Sequence, residues 1–149
     1  MKRIIILVLT ISFITLATAY ANGVYKWQPG EKPVPLVTVP IPMVAKFLTD
    51  LNKKEGDKFV LQGYFQYAGD RIAIAGNGET APSCCYKLLV LHVKHGAINK
   101  IGELSAFNCE VVTTKVGDVK IVGYFRGQAY VHTLMKNADG TFKLRQANM

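Results

Sequence analysis

Gly56-Asp57-Lys58-Phe59-Val60-Leu61-Gln62-Gly63-Tyr64-Phe65 returns later in the chain as Gly117-Asp118-Val119-Lys120-Ile121-Val122-Gly123-Tyr124-Phe125. Each copy opens on a Gly-Asp turn, proceeds through a β-prone run and reaches Gly-Tyr-Phe. A glycine inside a strand weakens it unless the sheet bends sharply there or another backbone comes close. Two such glycines fit two corners of a small closed barrel. The flanks of the two copies differ, so the echo is not a tandem repeat.

Beyond Gly56 the hydrophobic period is two, the period of a half-buried strand. Strands are expected over 59–67, 71–76, 86–94, 97–104, 106–114, 119–126, 129–136 and 141–146. Gly69-Asp70, Gly117-Asp118, Asp139-Gly140 and His95-Gly96 read as tight turns between them. The longest break, 76–82, leads straight into Cys84-Cys85. Many short strands with brief connections give a mainly β fold, a closed or partly open antiparallel barrel.

On the amino-terminal side of the echo, Val44, Phe47, Leu48 and Leu51 recur at helical spacing. Pro42 suits the first turn, Lys53 and Lys54 the last, and Gly56 the stop. No good side-chain cap precedes Pro42. Residues 22–42 carry five of the six prolines, Pro29, Pro33, Pro35, Pro40 and Pro42. Proline fixes φ and lacks an amide donor, so the arm over 22–41 is expected to run extended over the surface with at most a short edge strand around Val37–Ile41. Trp27, beside Tyr25, reads as an anchor for the arm. Lys2 and Arg3, the apolar run from Ile4 to about Leu16 and the small residues Ala17-Thr18-Ala19-Tyr20-Ala21 read as a secretory signal peptide over 1–21. That run is shorter than the roughly 18 residues of a spanning helix. The expectation is a periplasmic or secreted protein without a transmembrane segment after cleavage. Residues 42–149 then form a single helix-plus-barrel domain.

In the glycine-kinked strands and the Gly-Asp turns the chain resembles the OB-fold over about residues 56–136. It is also similar to small exported OB-fold families in which a Cys-Cys pair follows the second strand, as Cys84-Cys85 does here. The resemblance implies a binding module more readily than an enzyme, and it carries over no catalytic residues. The strand count exceeds the five of that family, and no helix is evident between its third and fourth strands.

An exported chain with three cysteines is expected to form one disulfide. Cys85–Cys109 is the expected pair, with Cys84–Cys109 the alternative. Closing a loop of roughly 25 residues would stabilise the fold by about 3 kcal/mol through lost chain entropy. A bond between the neighbours Cys84 and Cys85 would strain the intervening peptide. A second reading is a soft-metal site of Cys84, Cys85 and Cys109 with His92 or His95, suited to Zn²⁺ or Cu(I), though no CxxC or HxxxH spacing supports it. A third is a catalytic thiol beside a histidine.

Loss of Lys2 and Arg3 would leave 16 basic against 10 acidic residues, a net charge of +6. Lys115, Lys120, Arg126, Lys136, Lys143 and Arg145 crowd the last part of the chain with only Asp118 and Asp139 for balance. Tyr124, Arg126, Tyr130, His132 and Lys120 are expected to share a basic, aromatic sheet face that stacks on a flat or sugar-like ligand and neutralises its charge. Nucleophile-elbow, zinc-protease and phosphate-loop motifs are missing. Glu79, Glu103 and Glu110 make no diagnostic carboxylate pair. The leading expectation is therefore a non-catalytic exported binding protein, without a cofactor and not for nucleic acid, whose partner is an envelope protein, an envelope polymer or an anionic small molecule. The alternatives are a thiol or soft-metal protein and an inhibitor or immunity protein acting on a cell-envelope enzyme.

Overall fold

The computed structural model describes residues 25–146. The expected signal peptide and the first residues of the arm lie outside them. The elements run β1 (Lys32–Pro33), α1 (Pro42–Glu55), β2 (Val60–Tyr67), β3 (Asp70–Gly76), a 3₁₀ turn (Ser83–Cys85), β4 (Leu88–Lys94), β5 (Ala97–Leu104), β6 (Asn108–Thr113), β7 (Val119–Phe125), β8 (Gln128–Lys136) and β9 (Phe142–Gln146). All eight expected strands are present, most within two residues of the expected ends. The helix starts at Pro42 without a side-chain cap and stops at Gly56, whose left-handed backbone lets its amide bond the Asn52 carbonyl.

The strands form two antiparallel sheets. One has the order β1-β6-β7-β8-β9 and the other β2-β3-β4-β5. Alternation supplies the layers. Phe65, Ile72, Ile74, Leu88, Val90 and Leu104 from the second sheet meet Val111, Val119, Ile121, Leu134 and Phe142 from the first in one central core. The opposite face of the β2–β5 sheet, with Ala73, Ala75, Leu89 and Leu91, is covered by Val44 and Leu48 of α1. Burial on both faces is why β3 and β4 read as nearly unbroken apolar runs. Full burial of side chains such as Val44 and Leu48 contributes about 1.5–3 kcal/mol each.

The arm ties these layers together. Tyr25 is buried against Val112, Val122 and Val131 on the outer face of the β6–β9 sheet. The chain then pairs along the β6 edge, with Lys32 opposite Thr113 and Pro33 opposite Val112. It crosses to the other sheet, where Val37 and Tyr64 exchange backbone hydrogen bonds of 2.9 Å. The expected edge strand thus sits earlier, at Lys32–Pro33, with a single bridge at Val37.

The sheets are not closed into a barrel, which corrects the expectation of a closed form. The two glycines that suggested corners are spent on close approach instead. A Cβ on Gly63 would lie 2.6 Å from that of Leu36, and one on Gly123 would lie 2.9 Å from that of Ala106. Gly63 lets the arm settle on β2, and Gly123 lets the segment after β5 settle under β7. On the remaining side, β5 and β9 approach through Gly102 and Leu144.

Candidate functional site

Three reversals of the chain fall at one end of the sandwich. They are the 77–87 loop, the short turn between β5 and β6, and the β7–β8 hairpin, because Gly76 pairs Leu88, Leu88 pairs Leu104, Asn108 pairs Tyr124 and Phe125 pairs Gln128. Asn77 organises the first. It is 2% exposed, accepts the Lys87 amide at 2.7 Å and donates to the Cys85 carbonyl at 3.2 Å and to Asp57 Oδ1 at 3.3 Å. Its own carbonyl accepts the amides of Thr80 and Ala81. A buried amide with this many partners replaces the ladder the loop lacks.

The end carries an aromatic row. Tyr86 lies 5.1 Å from Phe107 and 6.1 Å from Phe125, in tilted and edge-on arrangements. Phe107 is 42% exposed, and Gly78 leaves room for its ring. Phe125 continues into an open cleft of about 460 Å³, lined also by Leu104, Ala106, Tyr130 and His132. Arg126 and Gly127 both adopt positive φ, the backbone of a tight hairpin turn, and the Arg126 guanidinium carbon sits 5.0 Å above the Phe125 ring. The His132 Nδ1 is buried without a hydrogen-bond partner among the described residues. Burial pulls its pKa below the ordinary 6.5, favouring a neutral imidazole that could offer an acceptor or donor into the cleft.

The five expected ligand residues are split by the sheet. The β7–β8 register sets Tyr130 opposite Gly123 and His132 opposite Ile121, facing the core side, while Lys120 and Tyr124 face outward. Lys120 is occupied there. Its ammonium meets Glu31 at 3.0 Å and the Tyr25 hydroxyl at 3.3 Å. The Glu31 side chain is 2% exposed. Burial pushes Glu31 upward, but the Gln28 amide, Lys120 and Tyr25 outweigh it and hold the carboxyl below its usual value. The Tyr124 hydroxyl donates to Glu110 at 2.9 Å and sits 3.4 Å from the Tyr25 amide. These outward residues fasten the arm. Only Arg126, Tyr130 and His132 belong to the aromatic end, and Lys136, another cation of the last strands, pairs with Asp70 at 2.7 Å.

The cysteines also differ from expectation. Cys84 is bonded to Cys85, and Cys109 is a free thiol. Neither Cys85–Cys109 nor Cys84–Cys109 forms. Strand alternation, which suggested those pairs, does not apply to Cys84 and Cys85, because β4 begins only at Leu88 and the cysteines occupy an exposed 3₁₀ turn. Cys109 faces the central core, where burial, with some help from Glu110, pushes its thiol up to about 12. The catalytic-thiol reading loses Cys109 on that ground, since the thiolate is the nucleophile.

His92, offered as a fourth metal ligand, lies elsewhere. It is 2% exposed, with Nε2 2.9 Å from Asp70 Oδ1 and its ring edge-on to Phe142 at 4.7 Å. Asp70 is held below its ordinary pKa chiefly by Lys136 and then by His92. This is a satisfied core histidine. Among the described residues no three His, Cys, Asp or Glu side chains are placed to hold a metal ion. No protein-family model, curated protein or solved structure matches the chain. Among the described residues no helix is long and apolar enough to cross a membrane.

Sequence reading missed Tyr86, Phe107, Phe125 and Asn77. Phe107 fell inside the strand expected over 106–114, whereas in the structure it lies in the connection between β5 and β6. The others are brought together by tertiary packing alone.

Proposed function

We propose that the protein is an exported, non-catalytic binding module whose ligand seats at the aromatic end of the sandwich. The observation that carries this reading is the convergence of Phe125, Tyr130 and His132 on one open cleft, with Arg126 stacked on Phe125 at its edge and Tyr86 and Phe107 continuing the aromatic row. Flat aromatic faces favour ring-shaped ligands, and a few convergent polar groups fix their orientation. Arg126, exposed at the hairpin tip, supplies one positive charge for an acidic substituent. The ligand class is an envelope saccharide bearing a carboxylate or phosphate, encountered in the periplasm or outside the cell.

The test is titration of acidic peptidoglycan fragments and neutral oligosaccharides of the same length into the protein, followed by calorimetry. The acidic series should bind more tightly, and added salt should weaken it. Phe125→Ala, Tyr130→Ala and Arg126→Ala should each lower affinity by roughly tenfold, in line with about 1–2 kcal/mol for an aromatic or cation–π contact. Lys120→Ala should leave affinity unchanged, because Lys120 lies on the other face of the sheet. Binding that responds to Lys120 and ignores Phe125 would overturn the assignment.

A further inference from the structure

We propose that the Cys84–Cys85 bond is a thiol–disulfide exchange site for a dithiol reductant, and that its redox state is transmitted through Tyr86 to the aromatic cleft; this second half rests on the cleft being the binding site. The bond is not a fold-stabilising crosslink. It joins neighbours, so it closes no chain loop and removes little entropy from the unfolded state. Both cysteines are exposed, and exposed disulfides are the labile, reactive ones. The surroundings favour a thiolate once the bond opens. Cys85 lines a hollow of about 220 Å³ with Lys58 and Lys87, which outnumber the one acid there, Asp57, itself bonded by Asn77.

The exchange balances without the third cysteine. A thiolate of the reductant attacks one sulphur of the pair, the Cys84–Cys85 bond breaks, and a mixed disulfide forms. The released cysteine leaves as a thiolate and takes a proton from water. The reductant's second thiolate then attacks its own sulphur in the mixed disulfide and frees the other cysteine as a thiolate, which takes the second proton from water. Two electrons and two protons pass to the pair, and the reductant becomes a disulfide. Cys109, buried on the core side of β6, takes no part.

Coupling to the cleft follows from the chain itself. Tyr86 directly succeeds Cys85 and packs on Phe107 and Phe125. Asn77 clamps the backbone on both sides of Tyr86, at the Cys85 carbonyl and the Lys87 amide. Opening the bond frees the turn at 83–85 while that clamp stays, so the adjustment falls on Tyr86 and the rings it touches. Phe125 is shared between that row and the cleft.

The experiment uses the exported chain, oxidised, with dithiothreitol as the probe. Alkylation under native conditions, counted by mass spectrometry, should label no cysteine before reduction and two after it, with Cys109 labelled only on unfolding. Amide spectra of the two states should differ at 82–88 and also at Phe107, Phe125 and Tyr130. Tyr86→Ala should keep the thiol count and abolish the shifts at Phe125 and Tyr130, and Cys84→Ser/Cys85→Ser should reproduce the reduced spectrum without reductant. Resistance to reduction in the native state, labelling of Cys109 in place of one of the pair, or spectral change confined to the loop would each overturn the proposal. No ligand enters the measurement, so a failure of saccharide binding leaves its outcome untouched.

Discussion

Asn77 shows how much one buried amide can hold. Its side chain satisfies two backbone groups in a loop that cannot join a sheet, and its removal would strand the Lys87 amide and the Cys85 carbonyl. Asn77→Ala is expected to cost about 1–3 kcal/mol, the range for leaving a buried polar group unsatisfied, as read from urea unfolding. Asn77→Asp should cost less, because it retains the acceptor for Lys87. Gly63 makes the contrasting case, in which nothing can be added. A methyl group there meets the Leu36 Cβ at 2.6 Å, so Gly63→Ala is expected to cost about 1–3 kcal/mol by overpacking, and limited proteolysis should cut the arm first. The sequence marked Gly63 and Gly123 as special. It did not say that an arm and a neighbouring loop, rather than barrel corners, required them.

Among the elements, the arm is held by charge as well as by packing. Glu31, Lys120 and Tyr25 form a half-buried triad on the outer face of β7, with the Gln28 amide donating to Glu31 at 2.6 Å. Because the Glu31 carboxyl is held below its ordinary 4.5, the unfolded chain takes up its proton more readily than the folded one. Its contribution to stability is therefore complete above pH 4.5 and is lost as pH falls through the lower folded value. Lys120 has the opposite sign. Burial lowers its pKa, yet the bonds to Glu31 and Tyr25 prevail and raise it above 10.5, so its contribution is complete below 10.5 and fades as pH rises through the folded value. Trp27 lies 5.8 Å from Tyr25, edge-on, and is the single tryptophan of the chain. Its emission should shift to the red in acid as the arm releases. Glu31→Gln should loosen the arm at neutral pH by about 1.5–3 kcal/mol, the worth of hydrogen bonds to a charged group, and should erase the acid step. An acid step that survives the substitution would assign it to another carboxylate, with Asp70 the next to examine.

For the molecule as a whole, stability comes from apolar layers and not from sulphur. Reduction of Cys84–Cys85 should change the unfolding free energy read from urea titration by less than about 1 kcal/mol, whereas reducing a bond from Cys85 to Cys109 would have removed about 3 kcal/mol. Unfolding with and without dithiothreitol separates the two. The sequence by itself determined the helix from Pro42 to Gly56 and the eight strands, because hydrophobic period, turn glycines and proline positions act over a few residues and need no distant partner. The tertiary structure alone decided that the strands form two sheets, because pairing between β1 and β6 or the bridge from Val37 to Tyr64 joins residues far apart in the chain. It decided likewise that Lys120 and Tyr124 turn away from Tyr130 and His132: a register offset of one residue exchanges the faces of a strand, and no local preference fixes that offset. The aromatic end exists for the same reason. Tyr86, Phe107 and Phe125 meet only after two sheets have stacked and their loops have been delivered to one side.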